Sequence, residues 1–239
     1  MKRYFIWLYA GLAICGHVFA QNSAFEDKLK SNIQNFTNGK VVPDNVAKTP
    51  ITGVFEIRSG LDVFYTDVTG QYAFVEGHLI DLKNTRDLTQ ERMDQLSRID
   101  FKDLPLDLAL KTVRGNGKRI LAVFEDPNCP YCRAFRTLLN QLDDVTIYVF
   151  PYPVLSSDSD AKAKAALCAS DRVRAWDQLM ASGRMPKSAP CHTEIDKIVD
   201  LGSKLHIQGT PTVFFANGRR SQGAVPPDQF MSLFNETSN

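Results

Sequence analysis

Two cysteines separated by two residues form the most chemically active pattern in this chain of 239 residues. The segment Cys129-Pro130-Tyr131-Cys132 follows an apolar run and opens a helical pattern. Backbone N–H groups and the helix dipole favour negative charge at a helix N-terminus, so we expect the Cys129 thiolate to be stabilised. Pro130 suits the first helical position, where its missing N–H removes no hydrogen bond. Cys132 lies one turn further on, close enough to form a disulfide, and we expect Cys129 to be the exposed, attacking thiol.

A Cys-x-x-Cys pair has two other common uses, as half of a zinc site and as an inert structural disulfide. A structural zinc site needs four ligands, and the sequence offers no second Cys-x-x-Cys pair or paired histidines to complete it. His78, His192 and His206 stand apart from one another, which favours surface or core positions. We therefore expect redox chemistry at the cysteines themselves, with no metal and no cofactor.

A second feature, Gly209-Thr210-Pro211, stands directly before a run typical of a strand. Cis peptide bonds are largely confined to X–Pro pairs, so the Thr210–Pro211 bond is a candidate. Pro211 has no N–H to donate, which places it at the start or edge of a strand. Taken alone it would be an ordinary turn proline, but beside a Cys-x-x-Cys segment on a βαβ unit it is expected to be cis.

The patterns around the cysteine pair predict the elements that position it. Ile120–Phe124 and Thr146–Phe150 are apolar runs typical of buried strands, and Arg133–Leu142 has helical spacing. Strand, helix and strand in this order predict a parallel βαβ unit. The other segments predict a half-buried strand, two helices, a hairpin and a closing helix, at Leu106–Lys111, Ala161–Ala181, Glu194–Leu205, Thr212–Gly223 and Asp228–Phe234.

The preceding part of the chain predicts a smaller unit. Phe25, Leu29, Ile33 and Phe36 share one face of a helix over Ala24–Phe36. Three strands follow, at Ile51–Arg58, Leu61–Asp67 and Tyr72–Leu82. So small a core is marginal alone, and a second copy could cover its exposed sheet edge.

A polar helical stretch, Asn84–Lys102, joins the two parts. Asp87 is a plausible N-cap, with Gln90 three residues later. Its sparse apolar stripe favours a stiff, solvated connector, and the alternative is a packed helix that opens the second domain.

The first residues are typical of a secretory signal. Lys2 and Arg3 precede an apolar run over Tyr4–Gly16, and Val18-Phe19-Ala20 predicts cleavage after Ala20. The alternatives are a buried helix and a membrane anchor. Cleavage would remove Cys15 and leave four cysteines in an oxidising compartment, where thiols pair.

Cys168 and Cys191 flank a helical insertion, and in an exported chain we expect them to form a structural disulfide. The alternative is a second redox site.

The net charge argues against a nucleic-acid-binding protein. Twenty-eight basic against 27 acidic residues leave a net charge of +1, without the basic excess that nucleic acid attracts. No apolar run beyond the N-terminus is long enough to span a membrane.

In their order, these features resemble the DsbC/DsbG family of periplasmic thiol:disulfide isomerases, in the thioredoxin superfamily. The resemblance covers nearly all of the chain after the signal and rests on the segment Phe124–Cys132, the two-cysteine insertion and Gly209-Thr210-Pro211-Thr212. It implies a cystatin-like N-terminal dimerisation domain with one helix and a small antiparallel sheet, then a helical linker and an α/β thioredoxin-like domain with a helical insertion. The boundaries expected are 1–20 for the signal, 21–83, 84–103 and 104–239.

The resemblance also implies a function. Such a protein is a periplasmic homodimer that isomerises wrong disulfides in exported clients and holds them in a chaperone-like manner. A membrane reductase of the DsbD type keeps its active pair reduced. Cys129 and Cys132 would be catalytic, and Thr210, Pro211, Pro130 and Tyr131 would contact the client.

Two departures leave alternatives open. Thioredoxins have a buried Asp six residues before the first cysteine, where this chain has Val123, which suits the isomerases better. Many DsbC proteins have Gly after the first cysteine, whereas Pro130 is shared with DsbG proteins and glutaredoxins. DsbC is favoured by the connector and the length. The alternatives are a DsbG-like reductase of single oxidised cysteines, a DsbA-like oxidase, against which Thr210 argues, and a dimeric holdase without catalysis.

Overall fold

The computed structural model describes the backbone of residues 14–236 and the side chains from residue 23 onward. Most of the expected signal peptide therefore lies outside the described residues. The chain divides into two compact units, Met1–Leu96 and Ser97–Asn239. Among the helices of the described part, none is long and apolar enough to cross a membrane.

The first unit packs one long helix, α1 (Ile14–Phe36), on a four-stranded antiparallel sheet in the order β1-β2-β3-β4. Its strands are Asn45–Lys48, Val54–Ser59, Asp62–Asp67 and Ala73–Phe74. A short ribbon of β5 (Ile80–Asp81) and β6 (Arg86–Asp87) leads into α2 (Leu88–Leu96). The buried apolar side chains between helix and sheet are Leu29, Ile33, Val46 and Ile57.

Two strand expectations for this unit are corrected. Strand β1 was not predicted, because only Val46 of its four residues is buried and so short a segment has no clear alternation. The single strand expected over Tyr72–Leu82 is wrong. Only Ala73–Phe74 pairs with β3, and Ile80–Asp81 pairs with β6 instead.

The helix face is largely as expected. Leu29 and Ile33 are buried, and the ring of Phe25 packs 4.9 Å from that of Phe55. Phe36 is 60% exposed, because α1 ends at that residue.

Helix α2 is shorter and better packed than the expected connector. Asp87 does cap it, since its Oδ1 accepts a hydrogen bond from the Gln90 N–H at 2.9 Å. The helix ends at Leu96, after nine residues. Its buried Thr89 hydroxyl lies 2.5 Å from the hydroxyl of Tyr65 on β3. This helix therefore packs against the first unit through its own side chains.

The second unit is built on a five-stranded mixed sheet in the order β11-β10-β8-β9-β7. In chain order these strands are Leu110–Arg114, Arg119–Glu125, Val145–Pro151, Thr212–Phe215 and Arg220–Gln222. Strands β8 and β9 are parallel and are joined by α3 (Pro130–Leu139), so the βαβ unit is confirmed. The remaining helices, α4 to α7, are Ser157–Leu167, Arg172–Ser182, Ile195–Lys204 and Pro227–Glu236.

Two apolar clusters flank this sheet. One includes Phe135, Trp176 and Phe230, and the other includes Phe124 and Phe214. Because both faces of the central strand β8 are covered, its residues read as a continuous apolar run, which is how a buried parallel strand is recognised in a sequence.

Two local expectations for the second unit are wrong. Leu106–Leu108 forms a single 3-10 turn, closed by the Leu108 N–H on the Pro105 carbonyl, and the strand begins only at Leu110. The helix expected over Ala161–Ala181 is two helices. The second one starts where the Asp171 side chain accepts a hydrogen bond from the Arg174 N–H.

Candidate active site

The cysteine pair stands where strand β8 gives way to helix α3. Cys129 is the N-cap of α3, and its Sγ accepts a hydrogen bond from the Cys132 N–H at 3.4 Å. Pro130 occupies the first turn, as expected. Both thiols are free, so the structure describes the reduced state of the pair.

Cys129 is less accessible than expected. Cys129 is only 4% exposed, which corrects the expectation of an exposed thiol, and Cys132 is completely buried. Cys129 is covered because its thiol faces the loop before β10 and donates to the Thr210 carbonyl at 3.2 Å. The ranking of the two thiols by exposure nevertheless follows the prediction.

Burial gives Cys132 a different chemistry. Loss of solvation raises the pKa of its thiol far above the ordinary value, and the neighbouring Glu125 carboxylate raises it further. Cys132 is therefore held as a neutral thiol in this reduced state.

The loop before Cys129 is fixed by a buried carboxylate. Asp126 is fully buried, and its Oδ1 accepts hydrogen bonds from the Asn128 N–H and the Ser159 hydroxyl, both at 2.8 Å. Its Oδ2 accepts the Leu155 N–H at 3.0 Å. These bonds tie the start of α3 to the chain around the start of α4.

Asn128 extends this connection. Its side-chain amide donates to Asp158 Oδ2 at 2.7 Å, and its carbonyl oxygen accepts from Lys162 Nζ at 2.9 Å. Sequence reasoning did not identify Asp126 or Asn128 as positioning residues. The available signal was their place between a buried strand and a helix N-terminus.

A second buried carboxylate, Glu125, was also missed. It ends β8 and is fully buried, and its Oε2 accepts hydrogen bonds from Arg136 Nη1 at 2.9 Å and Trp176 Nε1 at 3.0 Å. Burial raises the pKa of this carboxyl, and the Arg136 guanidinium opposes the rise. The signal was a charged residue at the end of an apolar run.

The residues expected to contact a client lie around the cysteine pair. The Thr210–Pro211 peptide bond is cis, and the Thr210 carbonyl faces Cys129. Pro130 and Tyr131 are exposed, Tyr131 by 65%. The turn and the two α3 residues thus surround the reactive sulfur.

The other cysteines lie apart from this pair. Cys168, just after α4, is bonded to Cys191, which precedes α6, with their Cα atoms 5.5 Å apart. Of the three isolated histidines, His78 pairs with Asp87 on the first unit at 2.6 Å. Among the described residues, no group of three His, Cys, Asp or Glu side chains could hold a metal ion.

A cysteine pair at the N-terminus of the helix of a βαβ unit, facing a cis-proline turn, defines the thioredoxin-like class. Residues 106–238 match the family model of the thioredoxin-like domain, so the chain belongs to the thioredoxin-like family. Residues 17–90 match the N-terminal domain of disulfide bond isomerase proteins, and the resemblance to the DsbC/DsbG family is confirmed.

Individual relatives agree with this assignment. The chain is 47% identical over 184 residues to the probable thiol:disulfide interchange protein DsbC of Bordetella avium, covering 77% of this chain and 66% of that protein. It thus spans slightly less than two thirds of that relative's length. It is 25% identical over 241 residues to the thiol:disulfide interchange protein DsbC of Escherichia coli, covering 99% and 97%.

The comparison with solved structures supports the thioredoxin-like fold. The crystal structure of a disulfide interchange protein from Neisseria gonorrhoeae matches with 36% identity and a TM-score of 0.53. The match covers 57% of this chain and 99% of that one.

Proposed function

We propose that this chain is a thiol:disulfide interchange protein that isomerises wrong disulfides in exported proteins. The supporting observation is the geometry of the cysteine pair, with Cys129 at the N-cap of α3 against the Thr210 carbonyl and Cys132 buried behind it. Cys129 is the attacking group in this proposal because it is the less buried of the two thiols and its Sγ accepts the Cys132 N–H at the start of α3.

The reaction follows from the two environments. The Cys129 thiolate attacks one sulfur of a client disulfide, forms a mixed disulfide and releases the other client sulfur as a thiolate. A different client thiolate then attacks the mixed disulfide, forms a new client disulfide and restores Cys129. If none arrives, Cys132 attacks Cys129, releases the client in reduced form and leaves the pair oxidised. An external reductant must then return two electrons, and we assign this role to a membrane reductase of the DsbD type.

The client-binding surface is proposed to surround Cys129. Thr210 and Pro211 would align an extended client segment through main-chain hydrogen bonds, which impose little sequence preference. Pro130 and Tyr131 would contact its side chains, and the exposed Leu155 beside the Asp126 loop extends the apolar area.

Dimerisation is proposed for residues 21–83. The sheet edge at β4 has only two paired residues, and the segment around it exposes large apolar side chains. These are Tyr72, Phe74, Val75 and Leu82. A second copy would cover this surface, and two such units would place two cysteine pairs around one client. We further propose that residues 1–20 direct the chain to the periplasm, with residues 84–103 as linker and 104–239 as catalytic domain.

Reactivation of scrambled ribonuclease tests the function. The reduced protein should reactivate it, Cys129→Ser should abolish reactivation, and Cys132→Ser should retain part of it. If the protein produces active ribonuclease only when the ribonuclease starts in its reduced form, the function is that of a DsbA-like oxidase. A holdase would keep its client-holding activity in Cys129→Ser. A DsbG-like reductase would reduce single oxidised cysteines without reactivating ribonuclease.

A further inference from the structure

A buried cation lies on the strand that follows the cis-proline turn. Arg220 opens β11 and is only 9% exposed. Its Nη1 donates to the Leu205 carbonyl at 3.0 Å and its Nη2 to the His206 carbonyl at 2.9 Å, while its buried Nε has no hydrogen-bond partner. In the described part of the chain no carboxylate pairs with this guanidinium. Burial of a charge without an opposite charge is unfavourable, so Arg220 calls for a functional explanation.

The two carbonyls lie at the end of helix α6. The His206 N–H bonds to the Ser203 carbonyl and the Ile207 N–H to the Gly202 carbonyl, both at 2.9 Å, in the pattern that ends many helices. One residue of this pattern is left-handed and is usually glycine, but here it is His206, with a φ of 51°. A residue with a Cβ is strained in this conformation and keeps it only where its surroundings fix it. The two hydrogen bonds from Arg220 fix the backbone at this point.

This end of α6 leads directly into the cis-proline turn. Thr210 follows His206 by four positions. Between them, Ile207 is buried in the apolar cluster that includes Phe124, and the Tyr152 hydroxyl lies 3.5 Å from the Ile207 carbonyl. The chain that enters the turn is therefore fixed first by the guanidinium and then by packing.

The chain that leaves the turn is held by the same strand. The Gly223 N–H, directly after β11, donates to the Pro211 carbonyl at 2.8 Å. Arg220 thus holds the chain before the turn, and Gly223, three positions later, holds the chain after it. Between these two points, Thr210 presents its carbonyl to Cys129. Loss of the first point would leave Thr210 fixed from one side only.

We propose that Arg220 is a positioning residue for client binding, which fixes the end of α6 so that the cis-proline turn presents its main chain to a client segment at Cys129. This inference rests on the proposed function, in which Thr210 and Pro211 align the client. Arg220 acts through the backbone of the turn and contacts neither the client nor the reacting sulfurs. Arginine suits this role because its planar guanidinium holds two donors at a fixed spacing, whereas a lysine ammonium is a single point of charge.

The test measures how the rate of scrambled-ribonuclease reactivation by the full chain depends on ribonuclease concentration in a glutathione buffer. Arg220→Met keeps a long apolar side chain and removes both hydrogen bonds. We expect its KM for ribonuclease to rise about fivefold to tenfold and its kcat to change less than about twofold, because a displaced turn weakens the main-chain bonds to the client. Arg220→Lys can still donate to one carbonyl, so its KM should rise only about twofold.

Two matched variants and a second measurement serve as controls. Lys204→Met removes an exposed cation from the last residue of α6 and should leave KM unchanged. Val145→Ala loosens the buried core at the start of β9, at the end of the sheet opposite Cys129, and should not raise KM even if it lowers kcat. Alkylation of Cys129 by iodoacetamide needs no alignment by the turn, so in Arg220→Met it should be at least as fast as in the wild type.

The possible outcomes separate the ideas. An unchanged KM in Arg220→Met, with or without the fall in kcat of a loosened core, would leave Arg220 a purely structural role and overturns the proposal. An equal rise of KM in Lys204→Met would assign the effect to charge at the end of α6 and also overturn it. Slower alkylation of Cys129 in Arg220→Met would place the effect on the sulfur and count against it as well. If circular dichroism shows that Arg220→Met does not fold, Arg220→Lys decides, and an unchanged KM there overturns the proposal.

Failure of the proposed function looks different from failure of this inference. If the wild-type protein does not reactivate ribonuclease, the proposed function falls and this inference falls with it. If the wild type reactivates ribonuclease but KM does not respond to substitution of Arg220, the proposed function stands and only this inference falls.

Discussion

At the scale of single residues, the two sulfurs of the pair have opposite environments. Cys129 receives a backbone N–H at the start of α3 and lies next to exposed Pro130 and Tyr131. Cys132 is enclosed, and burial followed by the Glu125 charge raises the pKa of its thiol. Because the thiolate is the nucleophile, this asymmetry divides attack and resolution between them.

Alkylation tests this asymmetry. Limiting iodoacetamide should modify Cys129 of the reduced protein first, and Cys132 should react only slowly and at clearly alkaline pH, because its thiol stays protonated. Peptide mapping by mass spectrometry across a pH series measures both. Preferential modification of Cys132 would contradict the assignment.

Glu125 should also make stability depend on pH. Burial raises the pKa of its carboxyl above the ordinary 4.5, so the folded state binds its proton more tightly than the unfolded state does. Its contribution to stability is therefore fully present below that value and is lost as pH rises through the raised pKa. The free energy of unfolding of the wild type, relative to Glu125→Gln, should fall as pH increases from acid toward neutral. Urea denaturation of both proteins at a series of pH values measures this difference, and a difference that grows with pH would contradict it.

At the scale of elements, the start of α3 is held by its connection to α4. The Asp126 carboxylate accepts three hydrogen bonds, from Asn128, Leu155 and Ser159, in a fully buried place. The bonds join segments that are adjacent in space because β8 and β9 are parallel neighbours and both end at this edge of the sheet.

Removal of the Asp126 carboxylate should lower the stability of the folded protein. Asp126→Ala leaves three donors without an acceptor, and we expect it to lower the free energy of unfolding by about 2–4 kcal/mol. Asp160→Ala on α4 removes an exposed ion pair with Lys164 and should change stability by less than about 0.5 kcal/mol. Chemical denaturation of both variants compares them, and equal effects would show that the Asp126 bonds do not hold the loop.

At the scale of the whole molecule, the two units have separate cores. The second includes Phe101 and Leu104, both buried in its apolar cluster, and the Ile99 N–H donates to the Gly218 carbonyl. Residues 97–103, the last part of the proposed linker, therefore pack with the second unit. The first unit exposes apolar side chains around β4, and in the proposed dimer a second copy would cover them.

A truncated protein that begins at Ser97 tests whether the thiol–disulfide reaction can occur without dimerisation. We expect it to fold, to be monomeric in light scattering and to reduce small disulfides at the rate of the full chain. It should lose most reactivation of scrambled ribonuclease, because a client released by one cysteine pair no longer remains near a second. If this monomer reactivates ribonuclease as fast as the full chain, dimerisation is not needed for isomerisation.

Much of the fold and part of the site followed from the sequence alone, because they depend on neighbours along the chain. The Cys129–Cys132 spacing, the apolar run of β8, the helix after it and the hairpin over Thr212–Gly223 each express a local preference of the backbone. The βαβ unit and the hairpin were predicted for this reason, and both are confirmed.

Only the tertiary structure determined which distant side chains meet. Glu125 and Trp176 are 51 positions apart and Cys129 and Thr210 are 81, and no local pattern relates them. The burial of Cys129 was mispredicted for the same reason, since the Thr210 loop that covers it arrives from far along the chain. Local preference places a residue on a helix or strand, but burial, and the pKa changes that follow from it, depend on how the elements close around that residue.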